Sequence, residues 1–234
     1  MQQLFTKGTR GEPTKQTEIG EMPEGWAVCQ LGRLAEVAYG LTVNEDRRKS
    51  ANTVPYLALM NVTRGALRLD DVKQIGMLNG DSERYRLKRG DILLVEGNGN
   101  PSLLGSAAVW NDELPFALHQ NHLIRARVDQ SKAMPCWLMY YVNSDEGRTQ
   151  LFGKGKTSSG LHSINSRMLA GLQIPVPPLQ EQEEATGVLE SCETKIIALE
   201  REISLFDELF RALLEELMTG RLSAVPLIEE AEQK

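Results

Sequence analysis

The sequence predicts an α+β chain in which a β-rich mixed domain is followed by one long, coiled-coil-forming α-helix. Three observations carry that expectation. Between Trp26 and Ile174, short apolar runs alternate with Gly, Asn and Pro, the pattern of strands broken by turns. The segment Ile174-Pro175-Val176-Pro177-Pro178-Leu179 then excludes both a helix interior and a central strand, because proline lacks the N–H that either needs. Beyond it, apolar residues recur at helical spacing.

Taken in order, residues 1–20 are rich in Lys, Thr, Gly and Gln and read as an exposed arm. Residues 21–178 form the predicted domain. Its strands are expected at 55–60, 91–95 and 123–128, with Gly65, Gly80, Gly90, Gly97, Gly99 and Gly105 marking turns. In Leu123-Ile124-Arg125-Ala126-Arg127-Val128 the apolar and basic residues alternate, which predicts a strand buried on one face only. Residues 135–144, with Trp137, Leu138, Tyr140 and Tyr141, predict a short peripheral helix.

Residues 179–222 predict the long helix. Leu189, Cys192, Ile196, Leu199, Ile203, Phe206, Phe210, Leu213 and Leu217 alternate spacings of three and four, an a/d seam of four heptads. Glu181, Glu183 and Glu184 suit the positive end of the helix dipole. Gly220 stops the helix, and Gly187 weakens its first turns by about 1 kcal/mol relative to Ala. Ile197, Leu205, Leu209, Leu214 and Met218 add a second stripe, wider than one packing surface needs, so an intermolecular role is expected. About 40 residues at about 1.5 Å each would extend about 60 Å. Residues 223–234 read as a flexible tail.

The composition is that of a globular protein, 41% hydrophobic and 25% charged. No apolar run reaches the length of a membrane span, and the N-terminus lacks the apolar core of a signal peptide. Cys29, Cys136 and Cys192 lack metal-ligand spacing, so a reducing cytoplasmic setting is expected. The net charge of −6 is unevenly shared: residues 176–234 hold 5 basic and 14 acidic side chains, and the remainder is mildly basic. That asymmetry allows the front part to bind nucleic acid.

Catalytic motifs are missing. Asp91 and Glu96 resemble part of a nuclease metal site, but Asn98 stands where a lysine is needed. His119 and His122 lack further ligands nearby. Glu96-Gly97-Asn98-Gly99-Asn100 is not followed by the Lys-Ser/Thr of a phosphate loop. Val54-Pro55-Tyr56 lacks the first residues of an adenine-methyltransferase tetrapeptide.

Several segments in order resemble the specificity subunits of Type I restriction–modification enzymes. They are Tyr56-Leu57 with Asn61-Val62 and Gly65, then Tyr85, Leu87 and Gly90-Asp91-Ile92-Leu93, then His119-Gln120-Asn121-His122-Leu123-Ile124-Arg125. The proline segment with Gln180-Glu181-Gln182, and Leu217-Met218-Thr219-Gly220-Arg221-Leu222, resemble the two ends of that family's spacer helix. The resemblance implies a non-catalytic reader of double-stranded DNA. A separate modification subunit would methylate adenine with S-adenosylmethionine, and a restriction subunit would bring ATP and magnesium chemistry. Family members usually hold two recognition domains and two spacers; this chain holds one of each and resembles a C-terminal half. Gln2-Gln3-Leu4-Phe5-Thr6-Lys7-Gly8 echoes Glu215-Glu216-Leu217-Met218-Thr219-Gly220, so the first residues resemble the end of a spacer.

A homodimer through Leu189, Ile196, Leu199, Ile203, Phe206, Phe210, Leu213 and Leu217 would rebuild a two-domain reader of an interrupted palindrome. Within the recognition domain, polar and basic loops suit groove edges and phosphates. The candidates are Lys154, Lys156, Thr157, Ser158, Ser159 and His162; Asn98, Asn100 and Ser102; and the basic run Arg47-Arg48-Lys49. His119-Gln120-Asn121-His122 could either join them or satisfy buried backbone groups. A structural adaptor whose coiled coil is its function, or a nuclease using Asp91 and Glu96, remain the competing classes.

Overall fold

The computed structural model describes residues 2–97, 103–153, 163–223 and 225. Helix α1 (Gln2–Lys7) leads into a hairpin of β1 (Thr14–Thr17) and β2 (Gly20–Pro23). Then come β3 (Ala27–Gln30), α2 (Leu31–Leu34), β4 (Ala35–Tyr39), α3 (Glu45–Lys49), β5 (Thr53–Leu57), β6 (Lys73–Gly76) and α4 (Asp81–Tyr85). Strands β7 (Asp91–Val95), β8 (Ala107–Val109), β9 (Leu118–His119) and β10 (Leu123–Val128) follow. The remaining elements are α5 (Pro135–Asn143), α6 (Asp145–Gly153), α7 (Ser166–Ala170), β11 (Gln173–Val176) and α8 (Leu179–Met218).

The central sheet has the order β4-β10-β7-β8, with every pair antiparallel. A second sheet, β6-β5-β9, joins β5 and β9 in parallel. Leu57, Val62, Leu93, Val95, Trp110 and Leu123 form a buried core. Strand β11, predicted only as a proline boundary, pairs with β3 at Ile174↔Cys29 in a two-stranded sheet, where a missing proline N–H is tolerated. The short helix expected around Trp137 is α5, but it is part of the core and not peripheral: Trp137 to Asn143 are all buried.

One strand departs from its expected burial. The alternation in β10 predicts one solvent face, yet β10 lies between β4 and β7 and is buried along nearly its whole length. Its basic face is covered and ion-paired instead. Arg125 donates to Glu36 Oε1 at 2.9 Å and to the Arg84 carbonyl at 3.2 Å. Arg127 grips the buried Asp91 carboxylate through Nε at 2.8 Å and Nη2 at 2.7 Å.

Most of residues 3–20 are exposed, and the arm is docked through one side chain. Phe5 is buried, with its ring 4.7 Å from that of Trp137 and 5.3 Å from that of Tyr141. Trp26 meets Trp137 edge-on at 5.6 Å. One aromatic in a polar stretch is enough to dock it when a cluster of rings receives it. Glu181, in the first turn of α8, sits against this cluster. It accepts from Trp26 Nε1 at 2.9 Å and from the Thr9 N–H at 3.2 Å. Gly8, at φ +64°, lies so close that a Cβ there would fall 2.5 Å from Glu181 Oε1. Gln182 accepts from the Met134 N–H at 2.8 Å and donates to the Pro177 carbonyl at 2.9 Å. Glu181, Gln182, Ala185 and Thr186 are all buried.

The chain divides into two compact units, Met1–Thr186 and Gly187–Lys234. Helix α8 runs unbroken through Gly187, so the intrinsic cost of that glycine is met by the rest of the helix. In the second unit Leu189 is buried and Leu217 half-buried, but Ile196, Leu199, Ile203, Phe206, Phe210 and Leu213 are exposed, Phe210 by 65%. No helix among the described residues is long and apolar enough to cross a membrane.

Two expectations follow. Glu181→Ala should lower unfolding stability by about 2–3 kcal/mol, since it strands the indole and Thr9 donors. The same substitution in a Trp26→Phe background should cost less, as denaturant titration of the four proteins will show. The second concerns His119, fully buried, whose Nδ1 donates to the Tyr85 carbonyl at 2.9 Å. Burial lowers its pKa to about 4, below the unfolded value of about 6.5. The unfolded chain therefore takes up the proton first, and stability should fall by up to about 3 kcal/mol as pH drops from about 6.5 to about 4. His119→Gln should flatten that window in thermal melts recorded against pH.

Candidate nucleic-acid interface

Strand register brings four strand ends to one edge of the central sheet. Val95 ends β7 opposite Leu123, which starts β10; Tyr39 ends β4 opposite Ile124; Ala107 starts β8 opposite Leu94. The chain segments beyond these ends are tied together there. The Ile164 N–H donates to the Glu96 carbonyl at 2.9 Å, and the Glu96 N–H donates to the His122 carbonyl at 3.0 Å. The Ser166 N–H donates to Tyr39 Oη at 3.1 Å. His122 Nδ1 lies 3.4 Å from Glu96 Oε2. Arg148 of α6 donates to the Leu104 carbonyl at 3.1 Å, and its guanidinium carbon stands 4.7 Å over the Phe152 ring. A Cβ on Gly105 would come within 3.4 Å of the same ring.

Two polar segments, 98–102 and 154–162, thus leave and re-enter the described residues at one place: Gly97 and Leu103 for the first, Gly153 and Ser163 for the second. Asn98, Asn100, Ser102, Lys154, Lys156, Thr157, Ser158, Ser159 and His162 themselves lie outside the described residues.

The other expected contacts are distributed differently. Arg47 points inward. It is buried and forms a two-pronged ion pair with Asp81, with further bonds to the Thr42 and Gly76 carbonyls at 3.1 and 3.2 Å. Asp81 favours the charged guanidinium, and its own pKa is lowered, chiefly by its bond to Arg47. Such a group positions α3 and is not open to a phosphate. Arg48 and Lys49 are exposed, with Lys49 3.5 Å from Glu45. His119 satisfies the Tyr85 carbonyl, the structural alternative for that residue, whereas His122 is exposed at the sheet edge. Asp91 and Glu96 stand at opposite ends of β7, about 16 Å apart at about 3.3 Å per residue, with Asp91 committed to Arg127. Among the described residues no three His, Cys, Asp or Glu side chains gather as a metal site.

Sequence reasoning alone does not find Tyr39, Arg64 and Arg148. Arg64 lies in a turn closed by the Thr63 N–H donating to the Ala66 carbonyl at 2.9 Å. The one available signal is Thr63-Arg64-Gly65, a basic residue beside a turn glycine.

The family model described as "Type I restriction modification DNA specificity domain" matches residues 23–205. A Methanocaldococcus jannaschii chain provisionally named the MjaX specificity subunit of a type I restriction enzyme is 28% identical over 213 residues, 89% of this chain and 49% of its own length. The type I restriction enzyme StySPI specificity subunit of Salmonella potsdam is 26% identical over 86% of this chain and 44% of its own. The chain therefore spans about half the length of the curated relatives it matches. The crystal structure of an HsdS subunit from Thermoanaerobacter tengcongensis superposes with a TM-score of 0.58 at 21% identity, over 86% of this chain and 46% of that one, and supports the fold. With the match covering most of its length, this chain belongs to the type I restriction–modification DNA specificity domain family.

Proposed function

We propose that this chain reads a half-site in double-stranded DNA for a type I restriction–modification enzyme, and that it supplies recognition and no catalysis. The observation that carries the reading is the tie between Ile164 and Glu96, supported by the anchoring of Arg148 to Leu104. Together they bring the ends of two polar, glycine-containing segments to one sheet edge. Base recognition needs several side chains projecting from one rigid support, because a groove is read only when contacts arrive in register. On this reading Lys154, Lys156, Thr157, Ser158, Ser159 and His162 act with Asn98, Asn100 and Ser102 at that edge, and Arg48 and Lys49 are the solvent-exposed cations of α3.

The exposed apolar seam of α8 supports a second part of the proposal. Two copies pair through Ile196, Leu199, Ile203, Phe206, Phe210 and Leu213, with Leu189 and Leu217 at the limits of the seam, and read an interrupted palindrome. Leaving this face in water would cost about 25 cal/mol for each Å² of apolar surface exposed. The modification subunit docks on the resulting pair of helices and brings the restriction subunit with it. S-adenosylmethionine, ATP and magnesium act on those partners, within the cytoplasm.

Co-expression of the chain with its modification subunit, followed by sequencing of methylated adenines, tests the reading. Methylation confined to one interrupted motif is expected; methylation without sequence preference contradicts it. Lys154→Ala with Lys156→Ala should weaken DNA binding and reduce the slope of log affinity against log salt by about 0.9 for each phosphate no longer neutralised. Sedimentation at micromolar concentration should give a dimer, and Phe206→Glu with Phe210→Glu should give a monomer. A wild-type monomer, with or without the modification subunit, contradicts the pairing.

A further inference from the structure

We propose that Arg64 and Arg148 form a two-guanidinium clamp that holds one backbone phosphate of the bound duplex. The inference rests on the DNA-reading function and names an interaction that the sequence did not suggest.

The two side chains come from residues 84 positions apart, and the backbone brings them together. Arg64 is exposed at the tip of the Thr63–Ala66 turn, in which Gly65 adopts φ +86°. The Gly65 N–H donates to the Ala107 carbonyl at 2.9 Å, which fastens the turn to the start of β8. Arg148 reaches the same stretch from the other side. Its Nη1 is bonded to the carbonyl of Leu104, and it lies 3.9 Å from where a Gly105 Cβ would be. The turn that carries Arg64 and the guanidinium of Arg148 are thus both fastened to residues 104–107, beside the sheet edge where Glu96, His122 and Tyr39 meet.

Their charges are not balanced. Among the described residues neither arginine lies within ion-pair distance of a carboxylate, unlike Arg47, Arg125 and Arg127. Burial lowers the pKa of Arg148 first, and repulsion from Arg64 lowers it next, with Asp145 acting weakly in the opposite sense. A half-buried guanidinium that is repelled by a second cation is favoured by a nearby anion. The Phe152 ring and the Leu104 carbonyl hold the Arg148 plane, while among the described residues its remaining N–H donors meet no acceptor and can fork onto a phosphate. Sharing one phosphate would relieve the repulsion on binding, a gain that separate phosphates would not give in full.

The test uses the full chain and a random-sequence duplex, so that only backbone interactions are read. Affinity is measured across a salt series for wild type, Arg64→Gln, Arg148→Gln and the double variant. Arg64 projects from an exposed turn, so Arg64→Gln keeps the test valid if Arg148→Gln is poorly folded. A shared phosphate predicts that each single variant binds about tenfold more weakly, and that the double variant loses about 0.9 from the salt slope. It also predicts that Arg64→Lys restores part of the affinity. Unchanged affinity and slope in Arg64→Gln overturn the clamp. A double-variant loss of about 1.8 overturns the sharing, because it corresponds to two separate phosphates. Failure of the wild-type chain to bind the duplex overturns the DNA-reading function and the clamp with it.

Discussion

Two buried polar side chains at the start of the long helix, Glu181 and Gln182, hold together parts of the domain that are far apart in sequence. Glu181 receives the indole N–H of Trp26 and the backbone of Thr9, while Gln182 joins the loop before α5 to the proline segment. Around them Phe5, Trp26, Trp137 and Tyr141 share one aromatic cluster. A buried carboxylate is costly unless its hydrogen-bonding capacity is met, and here the donors exist only in the folded arrangement. The opening residues, α5, β11 and the first turns of α8 are therefore fixed by a common set of interactions.

A second constraint shapes the edge that faces the proposed duplex. Charged groups used for architecture are paired and removed from it: Arg47 with Asp81, Arg127 with Asp91, and Arg125 with Glu36. Near that edge Arg64 repels Arg148, and among the described residues neither lies within ion-pair distance of a carboxylate. A chain with net charge −6 can thus carry a local cationic site, because a phosphate within a Debye length responds to nearby charges more than to the total.

The sequence made some of this legible and concealed the rest for identifiable reasons. The heptad spacing through α8 and the aromatic helix α5 were readable because helical periodicity is local. The burial of β10 was not. Arg125 and Arg127 look solvent-facing in an alternating strand, and their partners Glu36 and Asp91 lie 89 and 36 residues away. Arg47 misled for the same reason: within Arg47-Arg48-Lys49 nothing separates the residue that turns inward to Asp81 from its exposed neighbours. Arg64 and Arg148 were missed because each is an isolated charge whose meaning depends on the other.

The central claim is that DNA is read from one edge of the central sheet, and hydrogen–deuterium exchange of the full chain with and without duplex addresses it directly. Binding should slow exchange at the Thr63–Ala66 turn, at residues 96–97 and 103–105, and at 163–166, while the opposite end of the same sheet, residues 33–36 and 127–132, stays unchanged. Protection confined to that opposite end, with the 63–66 turn and the 163–166 stem unaffected, would contradict the account.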